Sequence, residues 1–195
     1  MDSKHTLKTS DPLKFNDFKN YLAALDRDKE YLWECYAFVS FVTACRASDV
    51  LKLRWEDLLG GHITTITEKK TKKTREIPFS VSTQNKLREL YAKLGSPDVS
   101  EYVFKSPRTP RPITLRAVNR ILKRFKARYH MDIEHFSTHS FRKTFGRYVY
   151  DSNNHSEESL IILNQILKHS SIETTKRYIG ISKEEINNVF EKIVM

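Results

Sequence analysis

Residues 29–44, KEYLWECYAFVSFVTA, leave a helix almost no polar side. Tyr31, Leu32, Trp33, Tyr36, Phe38, Val39, Phe41 and Val42 occupy nearly every azimuth, and a helix apolar all round has to be buried. The run is shorter than the ~20 residues that cross a bilayer, so protein must cover it. The chain of 195 residues is long enough to do so.

The remaining pattern supplies the cover. Asp11-Pro12 reads as an N-cap followed by proline at the first helical position, with Leu13, Phe18, Tyr21, Leu22 and Leu25 at helical spacing behind it. Residues 47–54 read as a short helix, and Gly60-Gly61 ends that region. β-Branched runs at 63–67 and 75–79 flank a basic turn, the pattern of a hairpin. A helix at 81–94 stops at Gly95, and prolines then make 97–112 a loop with a short strand at 102–104. Residues 114–128 form an amphipathic helix, with Leu115, Val118, Leu122 and Phe125 inward and Arg116, Arg120, Lys123, Arg124 and Arg128 outward. Further helices are expected at 139–151, 157–168, 173–179 and 183–194. The fold class is therefore mostly α with a small antiparallel β-sheet (α+β).

Charge narrows the partners. A net charge of +10 and a pI near 9.5 favour polyanions, through release of the counterions that phosphates condense. Cys35 and Cys45 both lie in apolar helical sequence, which argues against a disulfide framework or a zinc site and for an intracellular home. MDSKHTLKTSDP has no signal-peptide core, and no run suits a membrane.

Two stretches could carry chemistry. His139 and Arg142 share a helix face, but such a pair arises readily by chance in a chain this rich in arginine. His169 and Tyr178 alone say as little, and ILNQILKHSSIETTKRYIG also resembles a helix-turn-helix that reads DNA with residues 173–179. Order across the chain says more. FVTACRASDVLKLRWEDL supplies Arg46 with Asp49 one turn on, and TEKKTKKTREIPF supplies Lys70 ahead of Ile77-Pro78. His139-x-x-Arg142, Leu167-x-His169 and Tyr178 follow. Together these segments resemble the catalytic domain of the tyrosine recombinases, or phage-type integrases, from about residue 11 to 180.

The chain departs from that pattern twice. Ala44 and Lys168 stand where the family usually has glycine; an ordinary φ is expected at Ala44, and Lys168 adds a cation to the presumed DNA face. Among the crowded lysines, Lys70 matches the family register.

The resemblance implies a site-specific DNA recombinase or integrase, of a mobile element, acting through a 3′-phosphotyrosyl intermediate. Arg46 and Arg142 would clamp the non-bridging oxygens, Tyr178 would attack, His139 would accept its proton, His169 would donate to the phosphate, and Lys70 would protonate the leaving 5′-oxygen. The chemistry implied needs neither metal nor ATP, so no cofactor is expected. Lys69, Lys72, Lys73, Arg116, Arg120, Lys123, Arg124 and Lys168 are the DNA-binding candidates. The expected organisation is a leader or linker remnant at 1–10, the catalytic domain at 11–181, and an amphipathic tail helix at 182–195. The expected partner is double-stranded DNA, with a homotetramer at synapsis joined through that tail, in the cytoplasm at the nucleoid. The chain reads as an excised catalytic domain or a short single-domain recombinase. Two rivals remain: a type IB topoisomerase with similar chemistry, and a non-catalytic helix-turn-helix regulator.

Overall fold

In the computed structural model, residues 9–67 and 74–181 are described. The elements run α1 (Phe15–Arg27), α2 (Tyr31–Thr43), α3 (Ala47–Val50), α4 (Trp55–Leu59), β1 (Ile63–Thr67), β2 (Thr74–Pro78), α5 (Val81–Lys93), α6 (Leu115–Arg128), α7 (Thr138–Ser152), α8 (Glu157–Leu167) and α9 (Ile172–Ile179). The proposed tail helix and Lys69, Lys70, Lys72 and Lys73 lie outside the described residues.

Helix α2 is the axis of the main core, as its all-round apolarity requires. It packs against α1, α5 and α7, and Cys35, Tyr36, Ala37 and Val39 are fully enclosed. Tyr36 meets Phe104 and Phe141 edge to face, at centroid distances of 5.3 and 5.9 Å, a favoured arrangement of ring quadrupoles. The one acidic side chain on α2, Glu34, is buried against the ammonium of Lys86 on α5 at 2.7 Å, so its charge enters the core paired.

β1 and β2 form the expected antiparallel hairpin, in register Ile63↔Pro78 to Thr67↔Thr74. Thr64 and Ile66 turn inward from β1 and Ile77 from β2. Strand alternation therefore also turns Arg75 toward the body of the protein.

Other boundaries differ from the expectation. α1 begins at Phe15, three residues beyond Pro12, because the preceding segment is bonded elsewhere. Asp11 exchanges hydrogen bonds with His135: its N–H donates to the carbonyl at 3.0 Å, and its carboxylate accepts from the His135 N–H at 2.8 Å. The Leu13 N–H donates to the Thr144 hydroxyl on α7 at 2.9 Å. The 47–54 helix stops at Val50, and a second short helix, α4, follows where Asp57 accepts from the Arg54 N–H at 2.7 Å. The 102–104 strand is a single bridge from Tyr102 to Arg54. Leu115, expected inside, is 41 % exposed, because it starts α6 one turn before that helix meets the core at Val118.

A smaller core joins α7, α8 and α9 through Leu160, Leu163 and Ile179, with Phe145 and Tyr178 packed on it. Gly146 makes the close approach possible. A Cβ there would fall 2.7 Å from Cγ2 of the enclosed Ile179, the residue after Tyr178. Gly146→Ala should thus force α9 away from α7. Overpacking of this kind costs ~1–3 kcal/mol, against ~1 kcal/mol gained in helix propensity. We expect a lower urea midpoint for Gly146→Ala; an unchanged or higher midpoint would show that the crossing has slack.

Candidate active site

The first turn of α7 sets the geometry. The Ser137 hydroxyl accepts from the His139 N–H at 3.2 Å, and the Ser140 hydroxyl accepts from the Ser137 N–H at 3.1 Å. These bonds occupy the amides that a helix start leaves without partners. His139 then faces outward at the rim, and Arg142, one turn on, points into the protein at 3 % exposure.

Arg142 joins two distant helix ends. One Nη donates to the Ala44 carbonyl, the C-cap of α2, at 2.6 Å; the other donates to the Leu167 carbonyl, the last of α8, at 2.7 Å. Helix C-termini carry partial negative charge, so both contacts favour a cation. Immediately beyond each end the chain turns. Ala44 is itself left-handed (φ 47°), and so is Lys168 (φ 54°). The expectation of an ordinary φ at Ala44 is therefore wrong. Its carbonyl is held by Arg142 while the chain reverses to make Arg46 the N-cap of α3. Both departures from the family pattern fall at left-handed caps, where glycine is free of Cβ strain.

Around Arg142 the described catalytic candidates, Arg46, His139, His169 and Tyr178, converge. Tyr178 on α9 sets its ring 5.9 Å from the Arg142 guanidinium and 4.8 Å from the His169 ring, edge on. Its phenol is pushed up by burial, and Arg142 and Arg46 pull the other way. Arg46 is half-buried and close enough to act electrostatically on Arg142, His169 and Tyr178. Burial, then Arg142 and Arg46, drive the His169 imidazole down to about 4. Partial burial, then Arg142 and Lys143, lower His139 below its usual 6.5.

Two cations escaped the sequence reading. Arg75 reaches from β2 to the sulfur of Cys45 at 3.7 Å and the Thr43 carbonyl at 3.3 Å, beside the Arg46 turn. Lys143, 7 % exposed, holds its ammonium 5.3 Å from the centre of the Tyr178 ring, and burial lowers its pKa. Both had a signal. Arg75 shares a strand face with Ile77, and Lys143 follows His139 by four residues on one helix face. A pocket of about 370 Å³ opens beside His139, Lys143 and Tyr178, edged by Thr9 and Ser10.

Two other tyrosines on α7 make different contacts: Tyr148 packs on Phe15 at 4.2 Å, and Tyr150 stacks on His155 at 4.8 Å. Arg116, Arg120 and Lys123 line a surface groove on α6, whereas Arg124 faces a separate recess with Glu30 and Arg128. Lys168 is exposed on its turn. Among the described residues, no three or more His, Cys, Asp or Glu side chains gather as a metal cage, and no helix is long and apolar enough to cross a membrane.

Compared with known families, residues 12–185 match the phage integrase family. The chain belongs to that family of tyrosine recombinases. The probable integrase/recombinase YoeC of Bacillus subtilis (strain 168) is 35% identical over 172 residues, which is 88% of this chain and 87% of that protein. Tyrosine recombinase XerC of Treponema denticola is 25% identical over 178 residues, 82% of this chain and 56% of that one. Among solved structures, the site-specific recombinase XerH bound to its palindromic difH substrate, in a post-cleavage complex, superposes with a TM-score of 0.70 at 16% identity. That match covers 98% of this chain and 55% of XerH. The XerA recombinase superposes at 0.68 and 20% identity, covering 96% and 68%. The chain thus spans most of YoeC but little more than half of XerC and XerH.

The lowered histidines give this integrase-family site a pH signature. Both rings stay neutral at pH 7 and take protons only in acid. Since both folded pKa values lie below the unfolded 6.5, stability is full above that pH and falls as acid protonates the unfolded rings first, down to about 4 in the case of His169. In an NMR titration of the DNA-free protein, His169 should titrate near 4 and His139 below 6.5. A midpoint at or above 6.5 for either ring would contradict the crowded cationic site.

Proposed function

We propose that this protein is a site-specific DNA recombinase that cuts and rejoins strands through a 3′-phosphotyrosyl intermediate. The observation that carries the reading is the Tyr178 phenol set among Arg142, Lys143 and His169, with Arg46 in electrostatic reach. A phosphodiester resists attack because its non-bridging oxygens are anionic and gain charge in the transition state. Arg46 and Arg142 would neutralise that charge through forked, charge-assisted hydrogen bonds.

Arg142 can do so without releasing its structural contacts. A guanidinium has five N–H donors, and one on each Nη is committed to a carbonyl. In this reading the phosphate is taken by the others. Tyr178 attacks phosphorus and leaves a free 5′-hydroxyl on the departing strand. A phenol with a pKa of ~10 needs help to ionise, and a neutral His139 at the pocket rim is suited to take its proton. His169, also neutral, donates a hydrogen bond to the phosphate. Lys70 delivers the proton to the leaving 5′-oxygen. Attack by another strand's 5′-hydroxyl on the phosphotyrosine reverses the step and joins the new strand, so the bond energy is kept.

The groove lined by Arg116, Arg120 and Lys123 suits a DNA backbone, and Arg124, Lys168, Lys69, Lys72 and Lys73 are further DNA contacts in this reading. Residues 182–195 dock on a neighbouring protomer when four copies assemble on DNA, and the protein serves a mobile element. The recombinase names of the relatives, and the DNA-bound state of XerH, support this reading over relaxation of supercoils.

A nicked suicide substrate, from which the 5′ fragment diffuses away, tests it. The parent should accumulate a denaturant-resistant protein–DNA adduct, and Tyr178→Phe should lose the adduct while keeping nearly full DNA affinity. An adduct that persists in Tyr178→Phe would exclude Tyr178, and DNA binding with no adduct in the parent would favour a non-catalytic regulator.

A further inference from the structure

A neutral imidazole carries one proton, on Nδ1 or on Nε2, and only the nitrogen that carries it can donate. The role proposed for His169 requires the proton at the end facing the phosphate. The structure contains the means to put it there.

Thr175 lies on α9, three residues before Tyr178, with no solvent exposure. Its hydroxyl oxygen is 3.1 Å from Nδ1 of His169 and accepts from the Asn164 side-chain amide at 3.2 Å. The Ser171 carbonyl lies 3.4 Å from the same oxygen. A hydroxyl has a single proton to give. With the Asn164 amide on a lone pair, that proton goes to the nearer acceptor, Nδ1, in preference to the long contact with Ser171. Nδ1 then has no proton of its own, and Nε2 must hold it. Asn164 also fixes the histidine from behind, since its carbonyl accepts from the His169 N–H at 3.2 Å.

We propose that Asn164 and Thr175 form a hydrogen-bond chain that holds His169 in its Nε2–H form, making both of them positioning residues for phosphate recognition. The proposal rests on the function assigned to His169 above, but the tautomer belongs to the DNA-free protein and is read without any reaction. Thr175 couples two parts of the site. It sits on the same short helix as Tyr178, so the element that places the attacking oxygen also sets the donor on its target.

Long-range ¹H–¹⁵N NMR of the full chain at pH 7, with ¹⁵N-labelled histidine, distinguishes a protonated Nε2 from a protonated Nδ1. The parent and Thr175→Ser should show Nε2–H at His169. Thr175→Val keeps the shape but removes the hydroxyl, and should give mixed tautomers with adduct formation slowed about tenfold or more, the worth of one hydrogen bond. Thr175→Ser should restore most of that rate. Asn164→Asp reverses the polarity: a carboxylate accepts the Thr175 proton, the hydroxyl then accepts from the ring, and His169 should shift toward Nδ1–H. That variant keeps the idea testable if Thr175→Val fails to fold. An Nδ1–H parent, or an Nε2–H signature and adduct rate unmoved in both Thr175→Val and Asn164→Asp, would overturn the proposal. A parent with the Nε2–H signature that forms no adduct would leave the chain standing and remove the recombinase reading instead.

Discussion

The Arg142 guanidinium between the carbonyls of Ala44 and Leu167 is the contact on which the rest of the site depends. It ties the C-terminus of α2, the axis of the main core, to that of α8, which belongs to the smaller core. Each tied end leads directly into a turn that carries a candidate site residue, Arg46 after one and His169 after the other. A buried cation would be costly without partners, and the two helix ends supply them. Architecture and chemistry thus meet in one side chain. The side chain proposed to grip a phosphate is also the one that ties down the turns leading to Arg46 and His169.

Around that tie the protein gathers positive charge in a poorly solvated space. Arg46 and Arg75 act electrostatically on Arg142, and Arg142 and Lys143 share the ring of Tyr178. The histidines respond by remaining neutral, His169 most of all. Burial raises the Tyr178 phenol by more than the neighbouring cations lower it.

Parts of this were legible in the sequence, for reasons that can be named. Helix α2 could be read because apolarity on all sides permits only burial. The hairpin could be read because β-branched runs flanked a polar turn, and its second strand, Thr74–Pro78, lies one residue earlier than expected. The start of α1 could not, since Asp11 and Leu13 are occupied by His135 and Thr144, partners more than a hundred residues away that local propensity does not register. Ala44 is similar. Its left-handed turn depends on a carbonyl held by an arginine far along the chain, and alanine by itself suggests the opposite. The spacing of His139 and Arg142 was weak evidence alone; the order of six polar positions through the resemblance gave it meaning. Arg75 and Lys143 were passed over, although periodicity put Arg75 on the inward strand face of Ile77 and Lys143 on the helix face of His139.

The central claim is that Arg142 builds the site as well as serving it, and Arg142→Lys in the absence of DNA isolates the first role. Lysine keeps the charge but lacks the rigid fork that spans two carbonyls. Comparison of backbone amide spectra and urea unfolding for parent and variant is the direct measurement. The account predicts amide shifts in both loops, at 44–46 and at 167–169, together with stability lowered by about 1–3 kcal/mol, the cost of leaving buried polar groups without partners. Unshifted loops and full stability in Arg142→Lys would contradict it, and would confine Arg142 to contact with the phosphate.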